Sequence, residues 1–293
     1  MAEVISVASR PEGPDFVGVG VQKSGSTWLA DILAQHPKIL IPRKEIHFFN
    51  RYFYQGYSWY HSWFANKRGQ VAGDFTPRYF ISPPTAPMSK EFYPHWNLRR
   101  IFLYRGRKSP EQDFVTQGDS LFGKLYRILL FWFQEQPSVR DELKARYPGI
   151  RVFAIFRNPV DRAWSAYWDW RHRKDRKGKR FVSFDKMWAH DGRWIQTHGL
   201  YAHHLSYWRE LFPDFGVFFY DDIKRNPTGL ARSVYQFIGV DDTFVPETNR
   251  QPNKGKYEPM PEETRKMLVN FYREQILKFA EMTARDLSHW LEV

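Results

Sequence analysis

Residues 16–29 have the sequence FVGVGVQKSGSTWL. The first six are short, apolar and β-prone, and the next five are small or polar and include one lysine, Lys23. From Thr27 onward, apolar residues recur at helical spacing. A strand, a small-residue loop and a helix in this order can cradle an anion, because the loop N–H groups and the positive end of the helix dipole point at one spot.

The loop can be compared with the nucleoside-triphosphate motif G-x-x-x-x-G-K-[ST]. Gly20 and Gly25 have the spacing of its glycines, but Ser26 stands where the lysine belongs, and the lysine lies earlier, at Lys23. This displacement argues against a standard ATPase and favours a different phosphate-like group. Taken alone, the same residues are also explained by a tight turn that binds nothing.

Composition limits the class of protein. The chain has 293 residues, of which 42% are apolar and 18% aromatic, so a large core is available. The net charge of +12 favours an anionic partner, such as a nucleotide, an acidic sugar, nucleic acid or a membrane face. The absence of cysteine excludes disulfides and cysteine-type zinc sites. Without a leader or an apolar run of about 18 residues, we expect no membrane span and a cytoplasmic location.

A second strand, turn and helix follow later in the chain. Residues 151–156 predict a strand, and Arg157-Asn158-Pro159 predicts the turn before a helix over 160–171. Arg157 stands at the carboxyl end of the strand, where open α/β sheets bind ligands, and Ser165 follows it by a little over two helical turns. Both side chains can face one anion. An arginine that binds local carbonyls is the alternative.

Residues 43–49, RKEIHFF, place two cations, a carboxylate and an imidazole before two phenylalanines. A catalytic group must be held rigidly, and the aromatic pair Phe48 and Phe49 supplies an attachment to the core. The segment is therefore a candidate catalytic cluster. A surface turn with the two rings in the core explains the segment equally well.

The remaining patterns complete an α/β chain. Residues 217–220 predict a strand, and helices are predicted over 184–194, 201–211, 227–238 and 262–280. Residues 83–148 predict an insertion or lid that includes an apolar helix over 121–134. Residues 171–180 hold seven lysines and arginines and predict a solvated loop or a contact with a polyanion.

Together these pieces resemble the sulfotransferases that use 3′-phosphoadenosine 5′-phosphosulfate (PAPS). Residues 22–29 look like the 5′-phosphosulfate loop of that family, and residues 156–167 look like its 3′-phosphate motif. Residues 44–49 and 73–80 are similar to the catalytic-glutamate segment and the Ser-Pro-x-Tyr region of the heparan sulfate O-sulfotransferase branch. Residues 254–257 are similar to the Lys-Gly-x-Tyr cofactor loop of that branch. The resemblance runs from about residue 16 to the C-terminus and leaves out residues 83–148.

The resemblance implies an α/β, P-loop-like three-layer fold with a central, mostly parallel sheet, formed by residues 1–293 as a single domain. It implies transfer of a sulfuryl group from PAPS to a hydroxyl or amine, with 3′-phosphoadenosine 5′-phosphate (PAP) as product and no required metal. The membrane anchor and cysteines of the Golgi enzymes are missing here, which favours a soluble bacterial member. The acceptor is therefore left as a small molecule or a glycan, with no nucleic-acid partner, and the oligomeric state is left open.

The same resemblance assigns roles to individual residues. Glu45 is the expected general base, with His47 as the second choice. Lys23 is expected to stabilise the leaving oxygen, and Lys44 to orient the sulfuryl group or an acidic acceptor. The expected cofactor-binding residues are Lys23, Ser24, Gly25, Ser26, Thr27, Trp28, Arg157, Ser165, Lys254, Gly255, Lys256 and Tyr257. The expected acceptor-binding residues are Lys44, His47, Phe49, Thr76, Arg78 and Tyr79.

Three other functions compete with this one. A P-loop kinase predicts magnesium-dependent ATP binding, although the position of Lys23 and the pairing of Arg157 with Ser165 count against it. A polyanion- or nucleic-acid-binding module rests on residues 171–180 and predicts salt-sensitive binding without catalysis. An inactive scaffold of the same family is disfavoured, because Lys23, Glu45, Arg157 and Ser165 are all present.

Overall fold

The computed structural model describes residues 13–81, 138–178, 181–190, 192–249 and 257–293. These residues form a five-stranded parallel sheet in the order β2-β3-β1-β4-β5. The strands are β1 Phe16–Gly20, β2 Ile39–Leu40, β3 Val71–Phe75, β4 Arg151–Phe156 and β5 Gly216–Phe219. The central, mostly parallel sheet expected from the sequence is confirmed.

Helices follow or connect most strands. They are α1 Ser26–Ala34, α2 Gly56–Ser62, α3 Val139–Arg146, α4 Pro159–Asp175, α5 Phe184–His190, α6 Arg193–Thr197, α7 Tyr201–Arg209, α8 Tyr220–Arg225, α9 Pro227–Ile238 and α10 Glu262–Thr283. A π-helical turn spans Phe48–Tyr52, and 3-10 turns span Phe53–Gln55, Pro77–Tyr79 and Ser288–Leu291.

Both faces of the sheet are buried, which accounts for the continuous apolar runs in β1 and β4. Phe153 and Ile155 point into a core shared with α1 and α9, whereas Ala154 and Phe156 point into a larger core shared with α4, α7 and α10. Helices therefore cover the sheet on its two sides, and the three-layer prediction is confirmed.

The position of the crevice follows from the strand order. The chain leaves β1 into α1 on one face of the sheet, and leaves the neighbouring β4 into α4 on the other face. Where two adjacent connections diverge in this way, a cleft opens outside the carboxyl ends of the strands. The two anion motifs of the sequence lie at this cleft.

The helix predicted over 184–194 is wrong as a single element. The chain forms α5 and then α6, with Gly192 as the residue before α6. An ideal Cβ at Gly192 would lie 2.5 Å from the carbonyl oxygen of Trp188, so this close approach requires glycine.

The basic run over 171–180 begins as helix rather than as loop. Helix α4 continues to Asp175. Ion pairs one turn apart support the extension: Arg171 lies 3.7 Å from Asp175, and Arg173 lies 2.6 Å from Asp169.

Of the predicted insertion over 83–148, residues 138–148 are described. They form α3, whose Leu143 is fully buried in the larger core, so this end of the segment belongs to the main fold. The apolar helix predicted over 121–134 lies outside the described residues. Within the part of the chain that is described, no helix is both long and apolar enough to cross a membrane.

Candidate active site

The loop after β1 forms an open anion cradle. Lys23 and Gly25 have φ angles of 70° and 89°, and a Cβ at Gly25 would lie 2.8 Å from the side chains of Tyr220 and Ile223. Glycine is therefore required at this position. The first turn of α1 has neither a side-chain cap nor an acidic residue. Its N–H groups are thus free to bind an anion, which is favoured there by the helix dipole.

Lys23, in the first anion motif, contacts both α4 and Arg157. Its ammonium nitrogen is 3.7 Å from Oδ1 of Asp169 on α4, and the other oxygen of that carboxylate contacts Arg173. The carbonyl of Lys23 accepts a 3.5 Å hydrogen bond from Nη1 of Arg157. The structure therefore brings Arg157 and the backbone of Lys23 together, and their binding of a shared ligand stays a prediction.

Arg157 follows β4, and its bond to the Lys23 carbonyl agrees in part with the alternative that it binds backbone carbonyls. The helix after it is capped by Asn158, which accepts a 2.9 Å hydrogen bond from the N–H of Val160. The guanidinium carbon of Arg157 lies 4.8 Å from the ring centre of Tyr220. Among the described residues, no carboxylate pairs with Arg157. Its charge is available for a ligand phosphate. Ser165 lies buried on α4.

We call residues 43–49 the acid–base segment. This segment contacts the first turn of α1 through Lys44. The Lys44 ammonium donates a hydrogen bond to Oγ1 of Thr27, in the first turn of α1. Burial lowers the pKa of Lys44, although the neighbouring Glu45 and Asp31 act in the opposite direction. Lys44 therefore joins the segment that contains Glu45 to the first turn of α1.

Glu45 and His47 form a side-chain pair. Nε2 of His47 lies 3.1 Å from Oε2 of Glu45, and Nδ1 lies 3.1 Å from Oδ1 of Asn50. The hydrogen bond from His47 lowers the pKa of Glu45 against the opposing effect of burial, and Lys44 and Arg78 contribute further. The Glu45 side chain is 43% exposed and that of His47 only 9%, so Glu45 is the member that solvent and an acceptor can reach.

The backbone of this segment is unusual. Glu45 and His47 have φ angles of 60° and 59°, in the left-handed region that residues other than glycine seldom adopt. The N–H of Glu45 donates to the carbonyl of Phe75 at 3.0 Å. The segment is thereby fastened to the end of β3.

The other residues predicted to bind the acceptor differ in burial. Thr76, Tyr79 and Phe49 are buried, whereas Arg78 is exposed. The structure places the Thr76 and Tyr79 hydroxyls in the interior, where both bond to Asp74. The assignment of these side chains to an acceptor stays a prediction.

The rest of the predicted cofactor set is partly described. Trp28 is buried, and its Nε1 donates to the carbonyl of Thr248 at 3.4 Å. Ser24 and Ser26 are buried, and Tyr257 is 38% exposed. Residues 254–256 lie outside the described residues.

Sequence inspection missed three polar neighbours of the site: Asn50, Asp74 and Asp169. Asp169 follows Ser165 by one helical turn, a spacing that could have suggested it. Asp74 is a single acid in an apolar strand and gives no local signal. Among the described residues, no three His, Asp or Glu side chains lie close enough to hold a metal ion. The expectation that no metal is required stays a prediction.

Comparison with known proteins agrees with this geometry. A family model described as "Sulfotransferase family" matches residues 14–244. The membrane-associated sulfotransferase kil1 of Dictyostelium discoideum is 24% identical over 93% of this chain and 66% of its own length. Heparan sulfate glucosamine 3-O-sulfotransferase 3B1 of Mus musculus is 24% identical over 98% of this chain and 67% of its own length. This chain thus spans about two thirds of these relatives.

The fold is also shared with a solved structure. A crystal structure of a sulfotransferase from Alicyclobacillus acidocaldarius superposes with a TM-score of 0.66 at 22% identity, covering 95% of this chain and 99% of the other. The family model, which matches most of the chain, shows that the protein belongs to the Sulfotransferase family.

Proposed function

We propose that this chain transfers the sulfuryl group of PAPS to a hydroxyl or amine of a small-molecule or glycan acceptor and releases PAP. The observation that most supports the proposal is the hydrogen bond from Lys44 to Thr27, which joins the segment containing Glu45 to the uncapped first turn of α1. A base and an anion cradle then adjoin one another, as group transfer to an acceptor requires.

The residues at the cleft fit the two phosphate ends of PAPS. The N–H groups at the start of α1, with Lys23, would hold the 5′-phosphosulfate, because that turn has no cap of its own. Arg157 would hold the 3′-phosphate, since no described carboxylate neutralises it, and Ser165 would assist from α4. Lys254, Gly255, Lys256 and Tyr257 complete the proposed cofactor set.

PAPS supplies an activated sulfuryl group when bound. Glu45 would take the proton from the acceptor hydroxyl or amine as the acceptor atom bonds to sulfur, and PAP would depart with the electron pair of the broken sulfur–oxygen bond. Lys23 places a positive charge where negative charge develops on that leaving oxygen. His47 orients the Glu45 carboxylate through its hydrogen bond, and Lys44 holds the anionic group on the acceptor side.

A glycan acceptor is consistent with the matched relatives that are named heparan sulfate sulfotransferases. The exposed Arg78 close to Glu45 would suit an acidic acceptor. The glycan acceptor and its contact with Arg78 are both part of the proposed function.

A thermal-shift measurement tests the choice of nucleotide. Because PAP binds the folded state, we expect PAP at about 100 times its Kd to stabilise the protein by about 2.7 kcal/mol and raise Tm by roughly 5 °C. ATP with magnesium should give a much smaller shift. Stabilisation by ATP with magnesium alone would support the kinase instead, and no shift with either would contradict the proposal.

The role of Arg157 predicts a ligand-dependent loss. In Arg157→Ala, affinity for PAP should fall about 10- to 100-fold, because a charge-assisted contact to the 3′-phosphate is lost. Affinity for adenosine 5′-phosphosulfate, which lacks that phosphate, should be unchanged. Calorimetry with both ligands measures the difference. An equal loss for the two would place Arg157 against another part of the nucleotide.

A further inference from the structure

Asp74, in β3, is a buried carboxylate with an organised set of donors. It is 0% exposed and accepts hydrogen bonds from Thr76 Oγ1 at 2.7 Å, from Tyr60 at 3.0 Å and from Tyr79 at 3.2 Å. Burial raises its pKa to about 6, against the effect of these hydroxyls and of His47. At pH 7 the carboxylate is therefore ionised and only accepts, so all three hydroxyl protons point towards it.

Two of these hydroxyls have a second function. With their protons directed at Asp74, their lone pairs face the backbone of the acid–base segment. Thr76 Oγ1 accepts the N–H of His47 at 3.3 Å, and the Tyr79 hydroxyl accepts the N–H of Phe49 at 3.3 Å. The hydroxyl of Tyr60 binds Asp74 and accepts no N–H of this segment.

The acid–base segment is thus held at alternate amides. The N–H of Glu45 binds Phe75, that of His47 binds Thr76 and that of Phe49 binds Tyr79. We call this set of three bonds the amide clamp. The clamp holds Glu45 and His47 in the left-handed conformation, which residues other than glycine adopt only at an energetic cost.

We propose that Asp74 is a positioning residue for sulfuryl transfer, because its carboxylate orients the Thr76 and Tyr79 hydroxyls that hold the backbone bearing Glu45 and His47. The proposal rests on the proposed function, in which Glu45 is the base. It assigns Thr76 and Tyr79 to the support of the base instead of to the acceptor. Without the clamp, the segment relaxes towards ordinary φ angles and the Glu45 carboxylate leaves its position beside the anion cradle.

Two tyrosines provide a matched test. Tyr60→Phe and Tyr79→Phe each remove one donor to the same Asp74 oxygen, from a fully buried ring that lies 5.4 Å from the ring of Phe49. Only Tyr79 holds the segment. We expect Tyr79→Phe to lower kcat about 10-fold or more with the Kd for PAP unchanged, and Tyr60→Phe to keep kcat within about threefold.

Position 76 gives a second pair. Thr76→Val removes the hydroxyl with little change in volume and should lower kcat about 10-fold, whereas Thr76→Ser keeps the hydroxyl and should restore it. Equal losses of kcat in Tyr60→Phe and Tyr79→Phe, or wild-type kcat in Thr76→Val, would show that the network is merely structural and overturn the proposal.

Amide hydrogen exchange measures the clamp without relying on activity. In Asp74→Asn, the amide nitrogen turns a donor towards the hydroxyls, and exchange at His47 and Phe49 should rise at least 10-fold above its rate in the wild type. Unchanged exchange overturns the clamp. Wild-type protein that shows the clamp but transfers no sulfuryl group to any acceptor would contradict the proposed function instead, so the two failures are distinguishable.

Discussion

Replacing Glu45 by glutamine is expected to abolish sulfuryl transfer while PAP binding survives. Glutamine keeps the length of the side chain and a hydrogen bond to His47, but it cannot take up the acceptor proton. General-base catalysis contributes about 10²- to 10⁴-fold in rate, so the loss should fall in that range. The Kd for PAP, measured by calorimetry, should stay within about twofold, because Glu45 is proposed to contact the acceptor and not the nucleotide. Single-turnover transfer from labelled PAPS measures the rate.

His47 provides the comparison. Its side chain is 9% exposed and lies behind Glu45, so His47→Ala should cause a partial loss through misplacement of the carboxylate. If Glu45→Gln retains activity and His47→Ala has none, the base is His47 and the present assignment is wrong. The backbone of both residues is left-handed in the wild type. Glutamine at position 45 and alanine at position 47 would adopt the same conformation at a similar energetic cost.

Removing Lys23 is expected to affect binding and rate together. In Lys23→Ala, the positive charge beside the leaving oxygen is lost, and transfer should slow about 10²- to 10³-fold, as when one group that stabilises developing charge is deleted. The Kd for PAP should also rise, because Lys23 would contact the 5′-phosphate in the ground state. Single-turnover kinetics and calorimetry separate the two effects.

A lysine on α4 serves as the control for net charge. Lys174 lies 5.2 Å from the ring centre of Trp170 and belongs to the basic run. Lys174→Ala should leave the rate and the PAP affinity unchanged. Equal losses in the two variants would point to a general electrostatic attraction of the basic surface, and would contradict a specific role for Lys23.

Asp169 refines the expectation for Lys23. Its carboxylate lies 3.7 Å from the Lys23 ammonium and also contacts Arg173, so one acid is shared by two bases. An anion that binds Lys23 therefore has to displace only a carboxylate that is shared with Arg173. Asp169 thus holds the Lys23 ammonium in place without forming a close ion pair that would neutralise it.

Much of the fold was predictable from local pattern. Strands β1 and β4 are apolar on both faces because both faces are buried, and the turns at Gly25 and Pro159 have residues that mark the start of a helix. The order of motifs was enough to place the two anion-binding turns at one edge of the sheet. The structure confirms that Arg157 and the Lys23 loop meet there.

The parts that could not be predicted depend on long-range contacts. The break at Gly192 follows from how closely two helices approach, which a single apolar pattern over 184–194 does not show. The hydroxyl network around Asp74 joins residues from β3, α2 and the turn after β3. The left-handed backbone at Glu45 has no signal either, because glutamate does not favour it, and the enrichment of histidine in this region is too weak to predict it at His47.

That left-handed backbone has an evolutionary consequence. Glycine and asparagine adopt this conformation with less strain than glutamate, so either residue at position 45 would relieve backbone strain in the folded chain. Natural proteins commonly forgo such gains where a catalytic site needs a strained residue. A laboratory selection of this chain for thermal tolerance alone would therefore discard the Glu45–His47 pair, and only a simultaneous demand for turnover would retain it.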